Sequence, residues 1–114
     1  MLRRLLPLFL VLAGCSKGPQ ADLSYIGQAR SLAAEWALVN AQASRGRLRS
    51  AYVDAMRADI RTQLQTTASA LSQPNSRYGQ EIAALMKLPP DVPPEALRMH
   101  SDRLRQIEDS LESA

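Results

Sequence analysis

The chain has one cysteine and one histidine in 114 residues. A lone cysteine excludes an intrachain disulfide framework. A lone histidine with no second thiol excludes the Cys/His clusters that structural metal sites require. Glycine is scarce, with five residues and no glycine-rich stretch that could cradle a phosphate. Aromatic residues make up 4% of the chain; beyond Phe9 they are Tyr25, Trp36, Tyr52 and Tyr78. No apolar run approaches the roughly 20 residues needed to cross a bilayer. No repeat stands out, and no alternating pattern suggests a strand.

The chain does carry a distinctive N-terminus. Arg3 and Arg4 precede the apolar stretch Leu5 to Leu12, and small residues close it before Cys15. A charged start, a short apolar core and a small-residue end form the layout of a secretory signal peptide. A buried helix would not usually carry the upstream arginines or Pro7. Within this layout, Leu12-Ala13-Gly14-Cys15 resembles the lipobox of bacterial lipoproteins. The resemblance covers about the first 15 residues and concerns processing alone. It implies removal of residues 1–14, a thioether-linked lipid on Cys15 and an acylated (palmitate-type) amino group. It also explains why Cys15 needs no disulfide partner. Ser16 stands where an aspartate would retain such a protein at the inner membrane, so the resemblance implies sorting to the outer membrane, facing the periplasm. Two or more acyl chains hold a protein stably in a bilayer, each buried methylene contributing about 0.8 kcal/mol.

Residues 15–21 then read as a lipidated N-terminus and flexible tether, with Gly18 and Pro19 opposing regular structure. Loss of Arg3 and Arg4 brings the 14 basic residues to 12, against 11 acidic ones. That near-neutral balance gives no case for nucleic-acid binding.

Residues 22–114 read as one all-α domain with helices over about 22–44, 51–72, 77–87 and 94–112. Tyr25, Ala29, Leu32, Trp36, Val39 and Ala43 recur at helical steps, and Asp22 suits the N-cap. Gly46 suits the residue after a helix end. Leu48 falls roughly 140° from the Ala43 stripe, which argues for a turn at residues 45–49. One long helix with two faces is the alternative. A second stripe runs Leu48, Tyr52, Met56, Ile60, Leu64, Thr67 and Leu71, with Ser50 as candidate N-cap. Ser72 to Ser76 is a break, Pro89-Pro90 ends a third helix, and Pro93-Pro94 opens a fourth. The expected architecture is an antiparallel helical hairpin with two shorter helices packed as a small bundle.

Catalytic signatures are missing. His100 lies on an apolar helical face, where a core or rim role is the ordinary one, and Asp102 projects away from it. No serine or cysteine is paired with a positioned base. The carboxylates are interspersed with arginines, as on solvated faces. The expectation is a non-enzymatic protein with no cofactor or metal beyond the lipid on Cys15.

Arg45, Arg47 and Arg49 cluster in the expected turn. An exposed turn tolerates such charge; the same cluster also suits lipid phosphates or an acidic partner. Trp36 fits the centre of a core and also suits a partner's pocket. Leu32, Trp36 and Tyr52 are candidates for the core or an interface. The last residues, Glu112-Ser113-Ala114, offer no terminal lysine for the cell-wall linkage of murein lipoprotein. The leading expectation is therefore a membrane-anchored envelope lipoprotein that binds an envelope protein or stabilises an assembly. The alternative is a helical module for a lipid or other apolar or anionic small molecule, with Arg47 and Arg49 at its head group.

Overall fold

The computed structural model describes residues 18–114. The signal segment 1–14, Cys15 and Ser16 lie outside the described residues. Among the described residues the protein is all-α, with no strand. A 3-10 turn at Pro19–Asp22 leads into α1 (Leu23–Ser44), followed by α2 (Ser50–Ala70), α3 (Arg77–Met86) and α4 (Pro94–Glu112). Pro19 to Ala21, expected as tether, instead belong to this turn. Proline fixes φ at the turn's start, and Ala21 N–H donates to the Gly18 carbonyl at 3.1 Å.

Each break has a local cause. α1 ends in a Schellman motif: Gly46 adopts φ 68°, its N–H reaches Ala43 O at 3.0 Å, and Arg47 N–H reaches Gln42 O at 3.0 Å. The chain therefore turns here rather than continuing as one long helix. α2 begins at Ser50 itself, with extended Arg49 at the N-cap and no side-chain cap bond. α2 ends where Leu71 becomes extended. Ser76 then caps α3, its hydroxyl accepting from Gly79 N–H at 3.1 Å. Pro94 occupies the first turn of α4, where a missing N–H costs nothing.

α1 is the central helix. It packs most extensively along α4, next along α2, and also meets α3. Ile26, Ala29, Leu32, Ala33, Trp36, Ala37 and Val39 are buried on it. Three alanines in that set leave room for neighbouring helices to approach closely. Val53, Ile60 and Leu64 meet it from α2, Tyr78, Ile82 and Leu85 from α3, and Leu97, Leu104 and Ile107 from α4. Arg30 adds a 2.8 Å ion pair to Glu108 between α1 and α4, and Ser101 Oγ donates to the Arg30 carbonyl at 3.1 Å.

The second stripe holds at Ile60, Leu64, Thr67 and Leu71 and departs from expectation at its start. Val53 is buried, while Tyr52 is 52% exposed and is no core residue. One residue is about 100° of helix rotation, enough to move a side chain off the packed face. Thr67 remains on the buried face, because its hydroxyl donates to Gln63 O at 2.8 Å.

Gly79 marks the closest approach between segments. A Cβ there would stand 2.1 Å from the Pro74 carbonyl oxygen and 2.6 Å from its carbon. Both atoms are backbone and cannot rotate aside. Gly79→Ala should force the 72–76 segment away from α3 and cost about 1–3 kcal/mol. Urea unfolding followed by circular dichroism measures the loss.

Candidate functional site

Three clusters of polar chemistry border the apolar core. The first is built on Asp22, at the N-terminal boundary of α1 and 1% exposed. Its carboxylate does not cap α1. It turns instead to a segment 50 residues away. Ser72 N–H donates to it at 2.8 and 3.1 Å, Gln73 N–H at 3.1 Å, Ser72 Oγ at 3.0 Å and the Tyr78 hydroxyl at 2.6 Å. Burial opposes the charge, but the bonds from Ser72 and Tyr78, with that from Gln73, outweigh it and hold the carboxyl below its ordinary pKa. Burial, reinforced by the bond to Asp22, raises the Tyr78 phenol. Every donor around Asp22 is committed within the protein, so the cluster joins elements rather than binding a ligand.

The second cluster clamps the connector between α3 and α4. Trp36 Nε1 donates to Pro90 O at 2.9 Å. Asn40, one turn on, donates to Pro90 O at 3.0 Å and Val92 O at 2.8 Å. Its Oδ1 accepts from Arg57 Nε of α2 at 2.9 Å. Arg61 donates from Nη1 to Met86 O at 2.8 Å and from Nη2 to Leu88 O at 3.1 Å. Three prolines in the connector, Pro89, Pro90 and Pro93, supply no donor of their own, so its carbonyls need partners from elsewhere. Trp36, Asp54, Arg57, Ala58, Arg61 and Pro90 line a cleft of about 160 Å³ on the outer side of this clamp.

The third cluster joins α3 to α4 near the surface. His100 Nδ1 pairs with Glu81, and Arg103 Nη1 lies 3.5 Å from the same carboxylate. His100 is thus a half-buried rim residue, and Asp102 is exposed and apart from it.

Trp36 is buried, at 3% exposure, and its indole faces the connector. Arg45, Arg47 and Arg49 are exposed around the α1–α2 turn. Their side chains form no ion pair among the described residues and do not line the Trp36–Arg57–Arg61 cleft. The structure therefore brings Trp36 together with Arg57 and Arg61, not with the arginines of the turn. Leu38, Tyr52 and Met99 are more than half exposed.

Comparison with known protein families, with curated proteins and with solved structures finds no match to this chain. Among the described residues no group of three His, Cys, Asp or Glu could hold a metal ion. No described helix is long and apolar enough to cross a membrane.

Sequence reasoning passed over Asp22 as a simple cap and passed over Asn40, Arg57 and Arg61 entirely. A signal existed for Asn40: a carboxamide one turn after Trp36 interrupts an apolar stripe, and a buried amide requires partners. Arg57 and Arg61 stand four apart beside the α2 stripe, a spacing that places them on one side of the helix.

The Asp22 cluster yields a pH dependence. Its folded pKa is lowered, so its contribution is present above the ordinary value of 3.8 and is lost as pH falls through the folded value. Asp22→Asn should lower stability at neutral pH by about 1.5–3 kcal/mol. The variant should also lose part of the acid-side decline seen in the parent, measured by urea unfolding at neutral and acid pH.

Proposed function

We propose that this chain is a bacterial envelope lipoprotein, anchored by lipid on Cys15 and facing the periplasm from the outer membrane. Leu12-Ala13-Gly14-Cys15 after a basic start and a short apolar run is the observation that carries this reading. In it, residues 1–14 are a cleaved signal peptide. Ser16 permits outer-membrane sorting, and the only cofactor-like group is the covalent lipid.

The protein acts without catalysis, by binding another envelope protein or stabilising an assembly. Its site residues are committed to holding helices together: Asp22 to Ser72 and Tyr78, Asn40 to the connector, Glu81 to His100 and Arg103. An antiparallel α1–α2 hairpin with α3 and α4 completing a small bundle is part of the reading. The Asp22–Ser72 and Asn40–Arg57 bonds, with the Gly46 turn, support it.

This reading also implies an orientation for the domain. Cys15 lies three residue steps before Gly18, a reach of at most about 11 Å. Gly18 O accepts from Ser72 Oγ, and Gln20 donates to Leu111 O near the end of α4. The start of α1 and the ends of α2 and α4 thus lie beside the bilayer. The 22 residues of α1 span about 33 Å. Arg45, Arg47 and Arg49 stand at its far end, away from the anchoring leaflet, where they suit an acidic protein surface better than the lipid phosphates beside Cys15.

Intact-mass measurement on fractionated membranes tests the anchor. The expected species begins at acylated Cys15 and lies in the outer-membrane fraction, while Cys15→Ser leaves an unlipidated chain with its signal uncut. A full-length, unlipidated parent chain would overturn the reading.

A further inference from the structure

The clamp around the connector leaves two guanidinium groups only partly used. Arg57 commits Nε to Asn40 Oδ1, and neither of its Nη atoms makes a hydrogen bond among the described residues. Asn40 is itself held at both ends, its amide on Pro90 O and Val92 O. The Arg57 fork is therefore oriented by a bond on its inner edge, with the outer edge left to solvent. Arg61 points one N–H from each Nη at a backbone carbonyl. A guanidinium carries five donors, so three remain. No carboxylate comes within ion-pair distance of either arginine: Asp54 shares their cleft and Asp91 an adjoining depression, yet neither forms an ion pair. The rest of the lining is largely apolar, with Ala58 beside the two arginines on α2 and Trp36 and Pro90 contributed by α1 and the connector.

We propose that the Trp36–Arg57–Arg61 cleft binds a carboxylate carried on a small apolar group, either a free organic acid or the end of a polypeptide chain. The planar guanidinium fork matches a carboxylate through two parallel hydrogen bonds. A volume of 160 Å³ equals roughly five waters at about 30 Å³ each, room for a carboxylate with a few carbons. Asp54 at the rim opposes the ligand's charge and sets a modest affinity. This inference rests on the clamp geometry and is independent of the membrane anchor.

Trp36 is the only tryptophan and lines the cleft, so its emission reports occupancy without a label. The full chain is titrated with isovalerate, isovaleramide, inorganic phosphate, and N-acetyl-alanyl-valine as free acid and as amide. Isovalerate should give a saturable change with a dissociation constant on the order of 1 mM, and the two amides none. Arg57→Gln should weaken binding about tenfold. Asp54→Asn, at an exposed position, should tighten it about threefold, which keeps the test decisive if Arg57→Gln fails to fold. The dipeptide acid binding more tightly than isovalerate identifies a chain end as the source; equal affinity identifies a free acid. Absence of a saturable change with both acids overturns the proposal. So does an equal response to phosphate or the amides, or unchanged affinity in Asp54→Asn.

Discussion

A buried carboxylate is unfavourable unless its lone pairs are filled, and Asp22 is sited where they can be. Two backbone N–H groups and two hydroxyls converge on it from the segment after α2 and from α3. The requirement runs both ways. Ser72 and Gln73 lie just beyond a helix that ends in an extended residue, and Asp22 supplies the acceptors for their N–H groups. Satisfying one carboxylate thus places the start of α1, the end of α2 and the start of α3 together. α3 can then lie close enough for Gly79 to touch Pro74.

The other end of the core is held by a different kind of bond. The connector between α3 and α4 contains Pro89, Pro90 and Pro93, a segment that can accept hydrogen bonds but hardly donate them. Trp36, Asn40 and Arg61 supply the donors, each from a helix that already packs against the core. Proline rigidity lowers the entropy lost on ordering this segment. The result is a stiff loop laid across α1 and α2, on which an open guanidinium edge can be presented in a fixed direction.

Helix boundaries were legible because their causes are local. Gly46, Pro74, the Pro89-Pro90 pair and Pro93-Pro94 act within a turn of where they sit, and the observed ends fall within two residues of those expected. The α1 stripe was equally legible, down to buried Trp36. On α2, Tyr52 and Val53 are neighbours of similar apolar character, and periodicity alone favoured the larger one. Packing against the alanine-rich α1 selects the smaller. Asp22 was seen as a residue suited to a helix start, but its partners are 50 or more residues distant and no spacing rule connects them. The partners of Asn40 and Arg57 were hidden for the same reason, although the residues themselves left a trace in the pattern. Their meaning depends on a connector whose path across the helices is a tertiary fact.

The Asp22 cluster also determines how the domain would respond to mechanical load. A pull on the chain before Gly18 reaches the fold at Gly18, whose carbonyl is bonded to Ser72 Oγ, and four residues later at Asp22. The Asp22 bonds lie side by side, from two backbone amides and two hydroxyls. Bonds loaded side by side share a force and must yield nearly together, whereas bonds loaded in series open one at a time. Force would therefore be distributed into three helices at once rather than unwinding α1 from its first turn, and the domain would give way as a unit.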